Sequence, residues 1–194
     1  MAYRKTEKVL AHLAARRESL IDAAMEIVER DGVDALTIDR VAEESETSVG
    51  GIYKHFPDKT ELYAGVVARV LAGDLEAMQE AIKPLPRYPI PRLYAALIAL
   101  YRRFTRRRLR AAMFADPAYR EGLQRALRAL IEPCVNDADS RVKPLSAAIL
   151  GAMAGLYESI GQGEGAAVFV AGFALHGLGV SPRIVAGFAP ELSG

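Results

Sequence analysis

The residues of this chain whose types and spacing suit a chemical task lie together between Thr37 and Lys59, in TIDRVAEESETSVGGIYKHFPDK. The task they suit is holding a polyanion and reading its grooves. Thr47 and Ser48 offer hydroxyls, Gly50 and Gly51 keep the surface slender, Tyr53 and Lys54 add a phenol and an ammonium, and His55 and Lys59 follow closely. A narrow helix carrying such groups can enter the major groove of duplex DNA, its N-terminal residues near base edges and its last turn on phosphates. On this reading Thr37, Tyr53, His55 and Lys59 serve mainly phosphates, while Thr47, Ser48, Val49, Gly51 and Lys54 lie nearer the bases. Lys59 opens the following helix, whose free backbone N–H groups and positive dipole end also favour phosphate.

Groups of this kind need two short helices and a brace. Thr37 is a good N-cap with Asp39 in the first turn behind it, and Ile38, Val41 and Ala42 share one face, leaving Arg40, Glu43 and Glu44 to water. Ser45-Glu46-Thr47 breaks the helix, Ser48 caps a second one expected to run through His55, and Pro57 stops it. Val49, Ile52 and Phe56 recur at spacings of three and four. The brace is an amphipathic helix over 18–31, with Leu20, Ile21, Ala24, Met25, Ile27 and Val28 inward and Gly32 as its stop. Spacing alone also leaves open a helical hairpin in a protein that never meets DNA.

From about Arg17 to Leu62 the sequence resembles the TetR family of DNA-binding regulators: ERDG closes the first helix, T-I-x-x-V-A follows, then SVGGIYKHFPDK-x-E-L. Two positions depart from the family pattern. Glu46 stands where a turn glycine is usual and must take its backbone angles less easily. Val49 stands where a Lys or Arg often opens the reading helix, which changes the base or phosphate contacts there. The resemblance implies an all-α fold, with a three-helix helix-turn-helix DNA-binding domain over 1–62 and a larger helical effector-binding and dimerisation domain over 63–194.

It also implies partners: a double-stranded DNA operator, a small-molecule effector and a second copy of the chain. Candidate effector contacts are the aromatic, Met and His residues Tyr94, Tyr101, Phe104, Met113, Phe114, Tyr119, Met153, Tyr157, Phe173 and His176, although such residues also make ordinary cores. Helices expected over about 143–160 and 164–178 carry small residues on more than one face. Their ridges of Ala147, Gly151 and Gly155, and of Ala167, Ala171 and Gly172, are candidates for contact with a second copy. A constitutive DNA-binding protein whose C-terminal domain engages another protein is the alternative.

Composition narrows the remaining classes. With 25 basic and 24 acidic residues among 194, the net charge of +1 gives no bulk attraction to nucleic acid, and up to Thr60 acids outnumber bases twelve to nine. Any DNA-facing charge must therefore be segregated locally from Glu26, Glu29, Glu43 and Glu44. Cys134 is the only cysteine, which excludes an intramolecular disulfide and a cysteine-based zinc site. His12, His55 and His176 are scattered and there is no Gly-rich phosphate loop, so neither an enzyme, a metal nor a cofactor is expected. No leader precedes the charged N-terminus, and the apolar run 165–180 is short for a membrane span, so a buried helix and the cytoplasm are expected. The basic stretch 1–17 reads either as an arm for the minor groove or as a solvated extension of the first helix.

A long helix over 58–83 links the halves without a flexible linker, and a further helix is expected from Pro91 to about Arg108. Its end, YRRFTRRRLR, is open to three readings: a solvated C-terminal turn, ion pairs with the acidic face of the reading domain, or an anion site. Helices over about 110–115 and 117–136 and a polar connection over 135–140 complete the chain.

Overall fold

The computed structural model describes residues 7–104, 106–135, 142–160 and 163–188, and every regular element among them is helical. Two compact units result, the first reaching to Val70 and taking in Arg106–Ala112, the second beginning at Leu71 and resuming at Met113. The expected boundary at 62/63 thus falls inside a helix that the first unit retains as far as Val70.

The first unit is built on α1 (Glu7–Asp31), which starts well before the Glu18 suggested by periodicity because the basic stretch continues the helix. That extension leaves Val9 and Leu10 exposed; Arg4 and Lys5 lie outside the described residues. Further on, Leu20, Ile21, Ala24, Ile27 and Val28 are fully buried, and Gly32 ends the helix with φ 89° and an N–H bond of 2.9 Å to the Val28 carbonyl. A 3-10 turn at Val33–Ala35 carries Leu36 into the core ahead of α2 (Ile38–Glu44) and α3 (Val49–Ile52). α4 (Lys59–Ile82) starts under an Asp58 cap, whose carboxylate accepts from the Glu61 N–H at 2.9 Å, and contributes Leu62 and Val66 to the same core.

α3 does not stand on its own helix propensity. Gly50 and Gly51 cost it about 1 kcal/mol each relative to alanine, whereas burying Ile52 and Phe56, at 0 % and 1 % exposure, returns about 1.5–3 kcal/mol each. Tertiary packing wins, and the helix is held by what lies beneath it.

The second unit contains α5 (Pro89–Arg102), α7 (Pro117–Ile131), α8 (Val142–Ile160) and α9 (Glu164–Gly177), with a short α10 (Pro182–Phe188) that periodicity did not suggest. α5 is its centre: the six consecutive residues Leu93–Ile98 are all buried, and α9 packs along it. α6 (Arg107–Ala115) begins in the first unit and ends in the second.

The expectation of one helix from Pro91 to Arg108 fails here. α5 stops at Arg102, Phe104 turns inward at 0 % exposure, and α6 restarts at Arg107. Arg107 and Arg108 thereby occupy a helix start, where cations oppose the dipole, rather than the complementary helix end expected of them. Acids of α1 offset this. Arg106 pairs with Glu26 at 2.6 Å, the Leu109 N–H donates to Glu29 at 2.9 Å, and Arg108 donates to the Arg30 carbonyl at the end of α1. The solvated-turn reading is thus replaced by ion pairing with the acidic face of the reading domain.

A buried carboxylate ties the second unit together. Asp74 of α4 is 0 % exposed and accepts from Arg103 Nε at 2.7 Å and from the Tyr119 hydroxyl at 2.6 Å. Tyr119 is itself fixed near the start of α7, where Asp116 caps its N–H at 3.0 Å. No signal in the sequence distinguishes Asp74 from the exposed acids around it, since its neighbours in α4 are equally compatible with a solvated face.

Candidate nucleic-acid interface

The interface is positioned by two caps and a turn. Thr37 Oγ1 accepts from the Arg40 N–H at 3.2 Å and starts α2, and Ser48 Oγ accepts from the Gly51 N–H at 3.1 Å and starts α3, as the residue types suggest. Between them Glu46 adopts φ 50°, the left-handed region. The Thr47 N–H reaches back to the Ala42 carbonyl at 2.8 Å and the Glu46 N–H to the Glu43 carbonyl at 3.2 Å, the paired bonds of a Schellman turn. A glycine is the usual occupant of that position, so Glu46 takes the conformation against its own sterics.

α3 is shorter than expected, four residues rather than seven. Tyr53, Lys54 and His55 leave it in a tightened turn, the His55 N–H bonding the Ile52 carbonyl at 2.8 Å and the Phe56 N–H the same carbonyl at 3.0 Å. The two glycines and the approaching Pro57 give a longer helix nothing to propagate on. The turn keeps Ile52 and Phe56 inward while Tyr53, 53 % exposed, and Val49, 37 % exposed, face out. Thr37, Ser48, Lys54 and Lys59 are also exposed, whereas Thr47, Gly51 and His55 are half-buried. A Cβ on Gly51 would lie 2.9 Å from Thr47 Cγ2, so the helix is as slender here as its packing allows.

Charge is sorted around this surface. Arg30 pairs with Glu44 at 2.8 Å and with Asp31 at 3.1 Å, Arg40 also takes Asp31, and Arg69 takes Glu18. Arg40 and Arg30 hold the Asp31 carboxyl below its ordinary range, and Arg30 does the same for Glu44. Lys54 and Lys59 join no ion pair among the described residues. Arg16 and Arg17 of α1, left open between arm and flank by the sequence, come to the same surface: Arg16 donates to the Ser45 carbonyl at 3.2 Å, and Arg17 lies 4.7 Å over the Phe56 ring. Burial first, then the charges of Arg16, Arg17 and Lys54, push the His55 imidazole below its usual pKa.

In the second unit most of the residues chosen as effector contacts are buried against one another. Phe104 meets Tyr101, Phe114 and Tyr157 with ring centroids 5.1–5.6 Å apart, and Phe114 meets Tyr119 at 6.0 Å. Tyr94, Met113 and Met153 are fully buried as well. Phe173 is different, 54 % exposed on α9 beside Phe169 at 55 %, and His176 is exposed on the same helix. A groove of about 210 Å³ between α4 and α7 is lined by Leu75, Met78, Gln79, Ile82, Ala126, Ala129 and Leu130, none of which was among the effector candidates.

The small-residue ridges divide. Ala147, Gly151 and Gly155 are exposed on α8, but Ala167, Ala171 and Gly172 of α9 are buried within the chain. Those three are corrected from intersubunit to internal packing. Cys134 donates its thiol to the Leu130 carbonyl at 3.3 Å, and burial pushes its pKa up to about 11, so it carries no thiolate at neutral pH. No helix among the described residues is long and apolar enough to cross a membrane.

Residues 20–66, which contain the stretch from Thr37 to Lys59, match the family described as "Bacterial regulatory proteins, tetR family". The chain is similar to the HTH-type transcriptional repressor KstR of Rhodococcus jostii (strain RHA1), 32% identical over 108 residues, 52% of this chain and 49% of KstR. It is similar also to the HTH-type nicotine-responsive transcriptional repressor HdnoR of Paenarthrobacter nicotinovorans, 32% identical over 72 residues, 37% of this chain and 34% of HdnoR. The matched region thus spans half or less of these curated relatives. Whole-chain likeness comes from fold: a TetR-like transcriptional regulator from Rhodococcus sp. RHA1 superposes with a TM-score of 0.65 at 22% identity, covering 87% of this chain and 98% of that one. RolR in complex with resorcinol superposes with a TM-score of 0.64 at 18% identity, covering 93% and 95%. The capped helix pair, the matched residues and the all-helical architecture agree: residues 20–66 carry the DNA-binding region of the tetR family, and the chain has the fold of the TetR-like regulators on which it superposes.

Proposed function

We propose that this protein is a transcriptional repressor that binds a palindromic DNA operator as a homodimer and is released by a small, largely apolar effector. The observation that carries the reading is α3 itself: a capped, glycine-thinned helix whose Ile52 and Phe56 are buried while Val49, Tyr53 and Lys54 stand exposed. In the proposed complex Thr37, Tyr53, His55 and Lys59 bind phosphates and fix the register, and Thr47, Ser48, Val49, Gly51 and Lys54 approach bases. Val49 presents an apolar surface suited to a thymine methyl, so direct readout is modest and duplex deformability supplies the rest.

Dimerisation is supported by the exposed ridge of Ala147, Gly151 and Gly155 on α8 and by the uncovered Phe169 and Phe173 on α9. A two-fold axis then spaces two reading helices about one helical turn, roughly 34–36 Å, apart. An effector role for the second unit is supported by HdnoR, a nicotine-responsive repressor, and by RolR, crystallised with resorcinol. Within this chain the α4–α7 groove, lined by Gln79 and six apolar residues, suits an apolar ligand better than the edge-packed aromatic core does. Such a ligand releases DNA only to the extent that it prefers the non-binding state.

The test is titration of the purified chain against duplexes selected from a randomised pool, followed by fluorescence anisotropy. Saturable binding of two chains per duplex at low ionic strength is expected; no enrichment over unselected duplex would overturn the reading.

A further inference from the structure

We propose that Arg16 and Arg17 form a second phosphate clamp beside the reading helix, gripping the DNA backbone next to the groove that α3 enters. The inference rests on the DNA-binding reading above and adds two residues of α1 to it.

Both arginines are fixed to the reading head rather than merely near it. Arg16 donates one Nη2 bond to the carbonyl of Ser45, the residue that ends α2, and so sits at the turn between the two helices. Arg17 is held 4.7 Å over the ring of Phe56, the buried residue at the exit of α3. Consecutive residues of one helix thus anchor both ends of the turn–α3 segment.

Their donors remain available. A guanidinium has five N–H groups, and Arg16 uses one of them on Ser45. The carboxylate nearest Arg17 is Glu18, 3.9 Å away and already engaged by Arg69. Arg30, Arg40 and Arg106, in contrast, are each hydrogen-bonded or ion-paired to carboxylates at the acidic end of α1. The first unit therefore neutralises its cations in one place and leaves a concentration of them in another. His55 registers the difference: besides burial, the charges acting on it are Arg16, Arg17 from α1 and Lys54 from its own turn, all positive. Clustering like charge this way weakens the free protein, and a phosphate between them removes the penalty.

A bland role is available, in which Arg16 only caps α2 and Arg17 only covers Phe56. The two roles differ in salt dependence. Each phosphate neutralised contributes about 0.9 to the slope of log K against log salt concentration, independently of sequence. The experiment measures binding of the full chain to a mixed-sequence duplex across a salt series, for wild type, Arg16→Met/Arg17→Met and Arg16→Lys/Arg17→Lys.

The Met pair is expected to lower the slope by about 2 per reading head, leaving the ratio of selected to mixed-sequence affinity unchanged. The Lys pair, which keeps both charges, should keep most of the slope. A wild-type slope in the Met pair overturns the clamp, as does an equal loss in the Met and Lys pairs, which marks a packing role. If the Met pair fails to fold, the single Met variants decide, each expected to lower the slope by about 1. Absence of duplex binding by the wild type would instead sink the functional reading and the clamp with it.

Discussion

Replacing Glu46 by glycine should stabilise the protein, and the turn states by how much. Glu46 sits at φ 50° with its N–H and that of Thr47 both committed to the Schellman bonds, so the residue cannot relax without opening the turn. The left-handed region costs an L-residue about 1–2 kcal/mol, and glycine escapes that cost while adding about 0.5–1 kcal/mol of unfolded-state entropy. The difference leaves a net gain of about 0.5–1 kcal/mol, equivalent to a rise of about 1–4 °C in midpoint temperature for a chain of this size. Glu46→Ala is the control, since it deletes the same carboxylate without relieving the backbone. Urea unfolding should show a higher midpoint for the glycine variant at unchanged m, and an alanine midpoint within a few tenths of a kcal/mol of wild type. Equal gains from glycine and alanine would attribute the effect to charge, and a loss with glycine would refute the strained-turn argument outright.

Other perturbations probe other links. Tyr53→Phe and Lys59→Ala should weaken binding to all duplexes alike, whereas Val49→Lys should shift base preference; indistinguishable operator affinity across the three variants would refute the assigned roles. Asp74→Ala should cost about 3 kcal/mol, the lower end for a broken buried pair because Arg103 can reach water, and Tyr119→Phe about 1–2 kcal/mol, both read from denaturant midpoints. A change below a few tenths in the Asp74 variant would show that the buried carboxylate is not the tie it is taken to be. For pH, the folded state holds His55 below its usual pKa, so the stability associated with its neutral form is present above about 6.5 and lost as pH falls. DNA phosphate raises that pKa, so binding takes up a proton and tightens over the same fall in pH; His55→Gln should flatten the pH dependence of affinity.

What was legible in the sequence was local. Thr37, Ser48 and Gly32 act through bonds within a few residues of themselves, and each does in the structure what its type suggests. The same holds for Glu46, whose departure from glycine pointed to a strained angle that is present. What was not legible depends on contacts distant along the chain. The break between α5 and α6 follows from Phe104 turning into the core and from Glu26 and Glu29, each 80 residues before its partner, receiving the arginine-rich helix start. Ala167, Ala171 and Gly172 look like any small-residue ridge until the fold of the second unit buries them. Of the expected polar connection over 135–140, residues 136–140 lie outside the described residues. The ends of α3 were overestimated because spacing marks which residues share a face but not how far a glycine-rich helix can propagate.

The most direct measurement is selection of bound duplexes from a randomised library by the purified full-length chain, read by sequencing. The account predicts enriched sequences with two inverted half-sites centred about one helical turn, roughly 34–36 Å, apart, and the same motif at lower yield from the Tyr53→Phe/Lys59→Ala variant, whose lost contacts go to phosphates. Recovery of unbiased sequence from the wild type, or of a different motif from that variant, would contradict it.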